Sequence, residues 1–581
     1  MSVVRISCVL VLIFAEVVLG GELTPATSAD SPPDLLPDST SVTESAPSKT
    51  QRDSSLIEEA KRQELVKPFS RQELGFDGRR MEAIDSVRIT LEYSPQILIQ
   101  DTDVQSREGA VRRAQGEFDT HVTGRAQADV KQRNRSIEAR PLPGSLAPAP
   151  TPYPNPLIHR TNLYEFELGL SQKLRNGLVL EPQVAFRPSL DSDYDNNFNN
   201  NNEGSVSFGV FIPLAKGGGR LVNEAPEIAA RFDLLASVYQ LRYLTAQSVR
   251  DTMLAYWRCR SAEERYKLSV ESEAISSRLI KLSVALVEAD ELAPAQLPQA
   301  LADRNTTAAA RVNSESQLIL ARQRLAIAMG YNPDVLVMAP LTADPFPSPP
   351  QNQVYPDLNE LWFTALNLRD DLRASRQLEK SRKILMDASF LELRPRIDLQ
   401  LRATQTVFET RSTATVTEGR ESGAFAAISL DWPVQNNAAI GSYIQSDASL
   451  HRSQIETENI KRTIVSGVIS SLAELRAADA ELKHYAEAAR LNEKALTAQE
   501  DLFRLGQANL TDAITARQRL IQSQLDYVGA QERYAISIVQ LRFEAGLLFF
   551  SDAQGDWIDA KAWQTVPLLN TRKTSPAPPS S

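Results

Sequence analysis

Apolar residues recur every seven positions at Val468, Leu475, Leu482, Ala489, Leu496 and Phe503. That spacing lays them along one narrow stripe of a slightly under-wound helix. The companion positions are mixed: Leu472 is apolar, but Asp479 and Glu493 are not. A narrow stripe with polar flanks predicts a helix packed laterally on similar helices, not a globular core helix. Downstream, Ile514, Ile521, Leu525, Val528 and Ala535 resume a spacing of threes, fours and sevens. Between the two halves, Gly506 can take a left-handed backbone and close one helix, and Asn509 or Thr511 can cap the next. The pattern over 460–548 thus predicts a long helix, a tight reversal and a returning helix.

Elsewhere the period changes from helical to two. Met81 to Phe118 reads as helix, with Ile84, Val87, Leu91 and Ile97 on one face. In Thr120 to Val130, apolar or small residues (Val122, Gly124, Ala126, Ala128, Val130) alternate with Thr123, Arg125, Gln127 and Asp129, the mark of a two-faced strand. The same alternation marks Val206 to Ile212, Ile397 to Ala403 and Ala424 to Trp432. An additional hairpin is predicted over Tyr164 to Phe186, turning at Asn176-Gly177. Pro182 is awkward inside a lipid-facing ladder, so this hairpin is expected at an outer rim. Helix returns over 221–330, broken at Ala293-Pro294 and Pro298, and again over 358–393.

The order helix, strands, long helical hairpin occurs twice. Leu91 meets Leu366, Ile97 meets Leu372, Phe118 meets Leu393 and Val122 meets Ile397, each pair 275 apart. Pro213 meets Pro433 at 220; Leu325 meets Leu541 and Gly330 meets Gly546 at 216. This is an internal duplication with a unit far longer than a solenoid repeat. Each long helix is expected to run about 60 to 70 residues, on the order of 100 Å at 1.5 Å per residue. The strands, small and apolar on one face and polar on the other, suit a barrel wall between lipid and water. Backbone groups in lipid must all be paired, and four strands cannot close alone, so oligomerisation is expected.

Composition adds an export signal. Arg5 precedes an apolar run from Cys8 to Leu19, with small-residue cleavage near Gly21. The 33 prolines cluster, and 21–75 reads as a disordered Pro/Ser-rich leader. The chain divides into a signal peptide at 1–20, that leader, a first repeat at 76–333, a Pro-rich connector at 334–357, a second repeat at 358–550 and a tail at 551–581. Net charge is -10 with no basic block, so no nucleic acid is expected. Once the signal is removed Cys259 alone remains, which excludes an intrachain disulfide. Lys216 to Arg220 lacks the ending of a phosphate loop and reads as a strand-to-helix junction. The four histidines show no ligand spacing, and no nucleophile–base motif appears, so neither a metal site, a cofactor nor an enzyme is expected.

Together, the duplicated layout, the Ile212-Pro213-Leu214 to Gly219-Arg220 junction and the stretch FRLGQANLTDAITARQRL (Phe503 to Leu520) resemble the TolC-like outer membrane efflux proteins across roughly Met81 to Leu548. The resemblance implies an α+β membrane protein. Three copies would each give four strands to a twelve-stranded outer-membrane β-barrel continued by a periplasmic α-helical barrel. It implies passive export of substrates from an inner-membrane transporter through a periplasmic adaptor. It places the adaptor contact on the hairpin tips, at Phe503, Leu505, Gly506, Ala508 and Ala289. Asp512 matches an aspartate that rings the constriction, and three copies would attract cations. A second family aspartate is Thr515 here, and Asp290 stands where glycine is expected, beside Glu291. Repulsion among these tip carboxylates would favour an open entrance. The alternative is a non-conducting envelope spacer or coiled-coil adaptor, which would need no alternating strands.

Overall fold

The returning helix of each repeat ends at a glycine pressed against a short helix, and this contact fixes how the repeats are built. A computed structural model describes residues 80–135, 157–192, 198–288, 297–330, 339–350, 354–412, 414–505, 507–552, 555–557 and 563–567. The signal segment, the leader and much of the tail lie outside the described residues, as do Ala289, Asp290, Glu291 and Gly506. The first repeat runs β1 (Arg80–Met81), α1 (Ala83–Tyr93), α2 (Pro95–Gln115), β2 (Thr120–Arg135), β3 (Leu157–Lys173), β4 (Val179–Ser192), β5 (Phe198–Pro213), α3 (Arg220–Glu288) and α4 (Leu297–Ala328). After β6 (Leu341–Thr342) the second runs α5 (Leu358–Leu368), α6 (Asp370–Leu391), β7 (Arg396–Arg411), β8 (Val416–Asp431), α7 (Asn437–Arg504) and α8 (Leu510–Glu544), followed by β9 (Phe550–Asp552) and β10 (Gly555–Trp557).

The offset of 275 carries both ends of α1 onto the ends of α5, and the starts of α2 onto α6 (95 to 370). Gly330 and Gly546, 216 apart, both have positive φ, at 86° and 69°. A Cβ on Gly330 would stand 2.2 Å from the Tyr93 carbonyl oxygen, and one on Gly546 would stand 3.2 Å from Leu368 Cβ. Tyr93 and Leu368 are themselves 275 apart, so the same helix-end contact occurs in both repeats.

The two outgoing helices have the expected length, 69 residues for α3 and 68 for α7. The returning helices do not: α4 has 32 and α8 has 35. The remaining length of α3 is covered by α2 and the end of α1. Gln115 reaches Glu227 at 3.3 Å, Gln96 reaches Ser248 at 3.5 Å, and Thr90 reaches Thr252 at 2.8 Å. Beyond that point Thr252 donates to the carbonyl of Ala328 at 3.1 Å and Ser276 to Asp303 at 2.8 Å, so α4 takes over. The single helix expected over Met81 to Phe118 is therefore two, because Ser94 precedes Pro95 and is pushed to an extended conformation. Its buried face is Ala83, Ser86, Val87 and Thr90, and Leu91 points outward. The second repeat breaks at Arg369 without a proline. There the guanidinium is buried between Asp371 (2.7 Å) and Glu544 (2.6 Å).

Along the seven-residue stripe Val468, Leu475, Leu482 and Leu496 are buried, and Ala489 and Phe503 are half-buried. The flank at Asp479 is buried too, accepting from Tyr355 Oη at 2.6 Å and Lys483 Nζ at 2.8 Å. One core joins α1, α3, α4 and α8 around Met253, Tyr256, Trp257, Leu325 and Val539. The other joins α5, α7 and α8 around Leu361, Val468, Leu475 and Ile538. No helix among the described residues is long and apolar enough to cross a membrane.

Six strands, not four, form one antiparallel sheet in the order β2-β3-β4-β5-β7-β8. The hairpin expected at a rim is inside this sheet. β3 pairs with β2 from Thr120↔Gln172 to Arg135↔Leu157, and β4 with β5 from Val179↔Phe211 to Ser192↔Phe198. Pro182 and Pro188 are accommodated because each only interrupts the β3–β4 ladder locally. Pairing lapses between Gly169↔Gln183 and Gln172↔Leu180 and between Leu163↔Ser189 and Phe166↔Phe186, and then resumes in the same register. A missing N–H removes one ladder bond without shifting the strand.

Candidate functional site

Two regions stand out: the faces of the sheet and the tip where α7 turns into α8. Alternation along six paired strands sorts side chains onto two faces. One face carries apolar rows, which Gln405 and Ser422 interrupt on β7 and β8. Gly124, Leu168, Val184 and Val206 lie in one cross-strand row, and Leu399 and Ile428 continue the belt beside Ile212. Phe166, Leu168, Phe186 and Phe208 are about half exposed. The opposite face is polar: Arg187 pairs with Glu165 at 2.6 Å and Glu203 at 3.7 Å, and Gln183 donates to Glu167. One chain thus presents a sheet with a lipid-like face and a water-like face.

The sheet is tied to the helices at one buried carboxylate. Glu227, with a side chain only 1% exposed, accepts from Arg175, from Arg231 at 2.5 Å and from Gln115 at 3.3 Å. The Arg175 bond holds its carboxyl below the usual carboxylate range. Arg175 belongs to the β3–β4 turn, so that turn is anchored at the start of α3. Asn176 carbonyl also accepts from Gly219 N–H at 3.0 Å, and Asn223 donates to the carbonyls of Gly217 and Gly219 at 2.8 Å each. The glycine run is therefore a docking junction for the hairpin.

At the tip, Phe503 packs inward against Ala300, Leu510 and Ile514 with Leu279 and Ile280. Leu505 points the other way and is 70% exposed, while Ala508 is half-buried. Of the described residues expected at the tip, Phe503 fills a core and Leu505 faces outward. Asp512 is exposed at the third position of α8, where its carboxylate accepts from the Asn509 backbone N–H at 3.4 Å. It caps its own helix, and the positive end of the helix dipole stabilises its charge. Thr515 is half-buried and donates to the Thr511 carbonyl at 2.8 Å. Thr511 in turn donates to Gln299 Oε1 at 3.0 Å, linking the second tip to α4.

The strongest polar contact at the tip was not foreseen. Arg517 on α8 and Asp303 on α4 form a salt bridge with side chains only 3% and 5% exposed. Arg517 also donates to the Ser272 carbonyl at 3.2 Å, and Asp303 accepts from Ser276 at 2.8 Å and Gln518 at 3.1 Å. The signal was present in the sequence: Leu510, Ile514 and Arg517 fall at i, i+4 and i+7, so a cation sits on the apolar stripe and requires a buried partner. Trp563 was likewise missed; it is buried against the first core, and Arg542 bonds the nearby Thr565 carbonyl at 2.8 Å.

No family model and no curated protein matches the chain. Solved structures do. The outer-membrane channel OprN matches with a TM-score of 0.58 at 15% identity, over 81% of this chain and 94% of that one. The Campylobacter jejuni CmeC outer membrane channel matches with a TM-score of 0.56 at 13% identity, over 80% and 85%. The outer membrane protein VceC of Vibrio cholerae matches with a TM-score of 0.54 at 13% identity, over 80% and 96%. At these identities the likeness speaks for the backbone arrangement, and the fold of this chain is that of the outer-membrane channels.

Proposed function

We propose that the protein is the outer-membrane exit duct of an export system, assembled as a homotrimer. The sheet forms the wall in the lipid, and the helices form a tunnel reaching on the order of 100 Å into the periplasm. The observation that carries this reading is the junction of two structures in one chain: a two-faced antiparallel sheet with exposed apolar rows, anchored through Glu227 to the 69-residue α3, whose counterpart α7 has 68 residues. A spacer between membranes needs the helices and not the sheet. Conduction is passive in this reading, with energy from an inner-membrane transporter through a periplasmic adaptor. The exposed Leu505 at the α7–α8 tip is the proposed adaptor contact, and three copies of exposed Asp512 form an acidic ring at the entrance.

Single-channel recording of the purified protein in a planar bilayer tests the reading. Discrete cation-selective steps, with selectivity reduced by Asp512→Asn, are the expected result. Insertion without conductance would point to a sealed entrance, and failure to insert would bring the spacer forward.

A further inference from the structure

We propose that the β3–β4 hairpin is part of the membrane wall itself, so that each copy contributes six strands and three copies close an eighteen-stranded pore. The inference rests on the trimeric duct above and changes its dimensions. Three observations carry it. The hairpin separates β2 from β5, and both its strands pair with those neighbours along their length. Its tight turn is at the helical end, where Arg175 meets Glu227 and Asn176 meets Gly219, so the strands run outward from the helices through the same layer as β2 and β5. Finally, its two faces match the rest of the sheet. Phe166, Leu168, Val184 and Phe186 continue the apolar belt, while Glu165, Glu167, Gln183 and Arg187 continue the polar face. A hairpin standing in water beyond the rim would have no use for the apolar run that one face carries at Tyr164, Phe166, Leu168, Leu180, Val184 and Phe186.

The outer edges of β2 and β8 pair with no other strand among the described residues. Both have 16 residues, more than the roughly 9 to 11 that cross a bilayer. In lipid those edges must be satisfied, and six strands are too few to close on themselves. Every neighbouring pair in the sheet is antiparallel, so β8 of one copy and β2 of the next also meet antiparallel. A second copy is therefore the occupant of each edge. Because barrel diameter grows roughly linearly with strand number, this pore is about one and a half times as wide as one built from four strands per copy. Its outer-membrane segment then passes bulky hydrated cargo, and selection falls to the helix tips.

The test is cysteine accessibility in intact trimers reconstituted in lipid vesicles, read by mass spectrometry so that it does not depend on conductance. Single variants Glu167→Cys, Gln183→Cys, Leu168→Cys and Val184→Cys are treated with a charged methanethiosulfonate and, separately, with a lipid-permeant maleimide. The expected result is at least tenfold faster modification of positions 167 and 183 by the charged reagent, with 168 and 184 reached by the lipid-permeant one. Equal reactivity of all four toward the charged reagent overturns the proposal, as does an image of the reconstituted pore with a strand count other than eighteen. Alternating accessibility in vesicles that conduct nothing would sustain the wall placement while defeating the duct reading.

Discussion

Replacing Arg517 by Met should loosen the helix tip far more than its position near a loop suggests. The guanidinium and the Asp303 carboxylate are nearly inaccessible, and the variant leaves a buried carboxylate with only Ser276 and Gln518 as partners. Breaking a buried pair by removing one member costs about 3–5 kcal/mol, because the remaining charge is neither solvated nor paired. The apolar cluster holding the two hairpins together here is small, with Ala300, Leu510 and Ile514 as its buried members. That cost therefore falls on a local docking contact and not on the whole fold. At about 1.36 kcal/mol per decade, amide exchange in 300–304 and 510–517 should accelerate roughly a hundred- to several-thousand-fold. Exchange around Met253 and Val539 should not change, since that core is separate. The double variant Asp303→Leu/Arg517→Met removes both charges and should restore most of the protection, as apolar replacement of a buried pair is often neutral or stabilising. The measurement is hydrogen exchange with mass readout on all three proteins. An acceleration below threefold in Arg517→Met, or a double variant as open as the single one, would refute the reasoning.

Glu227→Gln should remove a pH-dependent contribution at the sheet–helix junction. The native carboxyl titrates below its unfolded value of about 4.3, so its stabilisation is present above that pH and is lost as pH falls through the folded value. The wild type should lose thermal stability on acidification below about pH 4.3, and the variant should lose less over the same window. Gly330→Ala should destabilise by more than about 2 kcal/mol, because left-handed backbone strain adds to a 2.2 Å clash with the Tyr93 carbonyl. Gly546→Ala should cost less, as its nearest neighbour is 3.2 Å away; denaturant titration compares the two. Burial pushes the Cys259 thiol up to about 12, so the folded protein should resist maleimide at pH 8 and react once unfolded, as a mass shift would report.

The duplication was legible because it was written as register. Offsets of 275 and 216 between apolar residues became superimposable helix ends at Tyr93 and Leu368 and at Gly330 and Gly546. The seven-residue stripe and the period-two strands were legible for the same reason, since burial enforces periodicity. What failed was inference from single residues. Pro182 argued against a regular ladder strand, yet its missing N–H removes one bond from a ladder that continues on both sides. The helix break at Arg369 has no proline, and its buried guanidinium pairs both with Asp371 nearby and with Glu544, 175 residues away. Asp303 and Arg517 are 214 apart, and although Arg517 announced itself on an apolar stripe, nothing local named its partner.

The two repeats share their helices far more closely than their strands, and this asymmetry has a functional consequence. The helix ends, glycine contacts and 69- and 68-residue outgoing helices are matched, so in the proposed assembly the tunnel is built from near-equivalent units. The strand regions are not: the first repeat carries four strands and the second carries two. An insertion between β2 and β5 leaves α3 and α7 where they were only if its turn does not push on the junction. Arg175 and Asn176 meet that requirement by converting the turn into a contact, Arg175 donating to Glu227 and the Asn176 carbonyl accepting from Gly219 N–H. In the proposed assembly the wall can thus widen while the helical entrance keeps its geometry. Truncating that contact should disturb the sheet's attachment while the tip network of Arg517 and Asp303 stays intact. Hydrogen exchange confined to the junction in Glu227→Gln is the expected outcome, and exchange spreading to 510–517 would count against two separable ends.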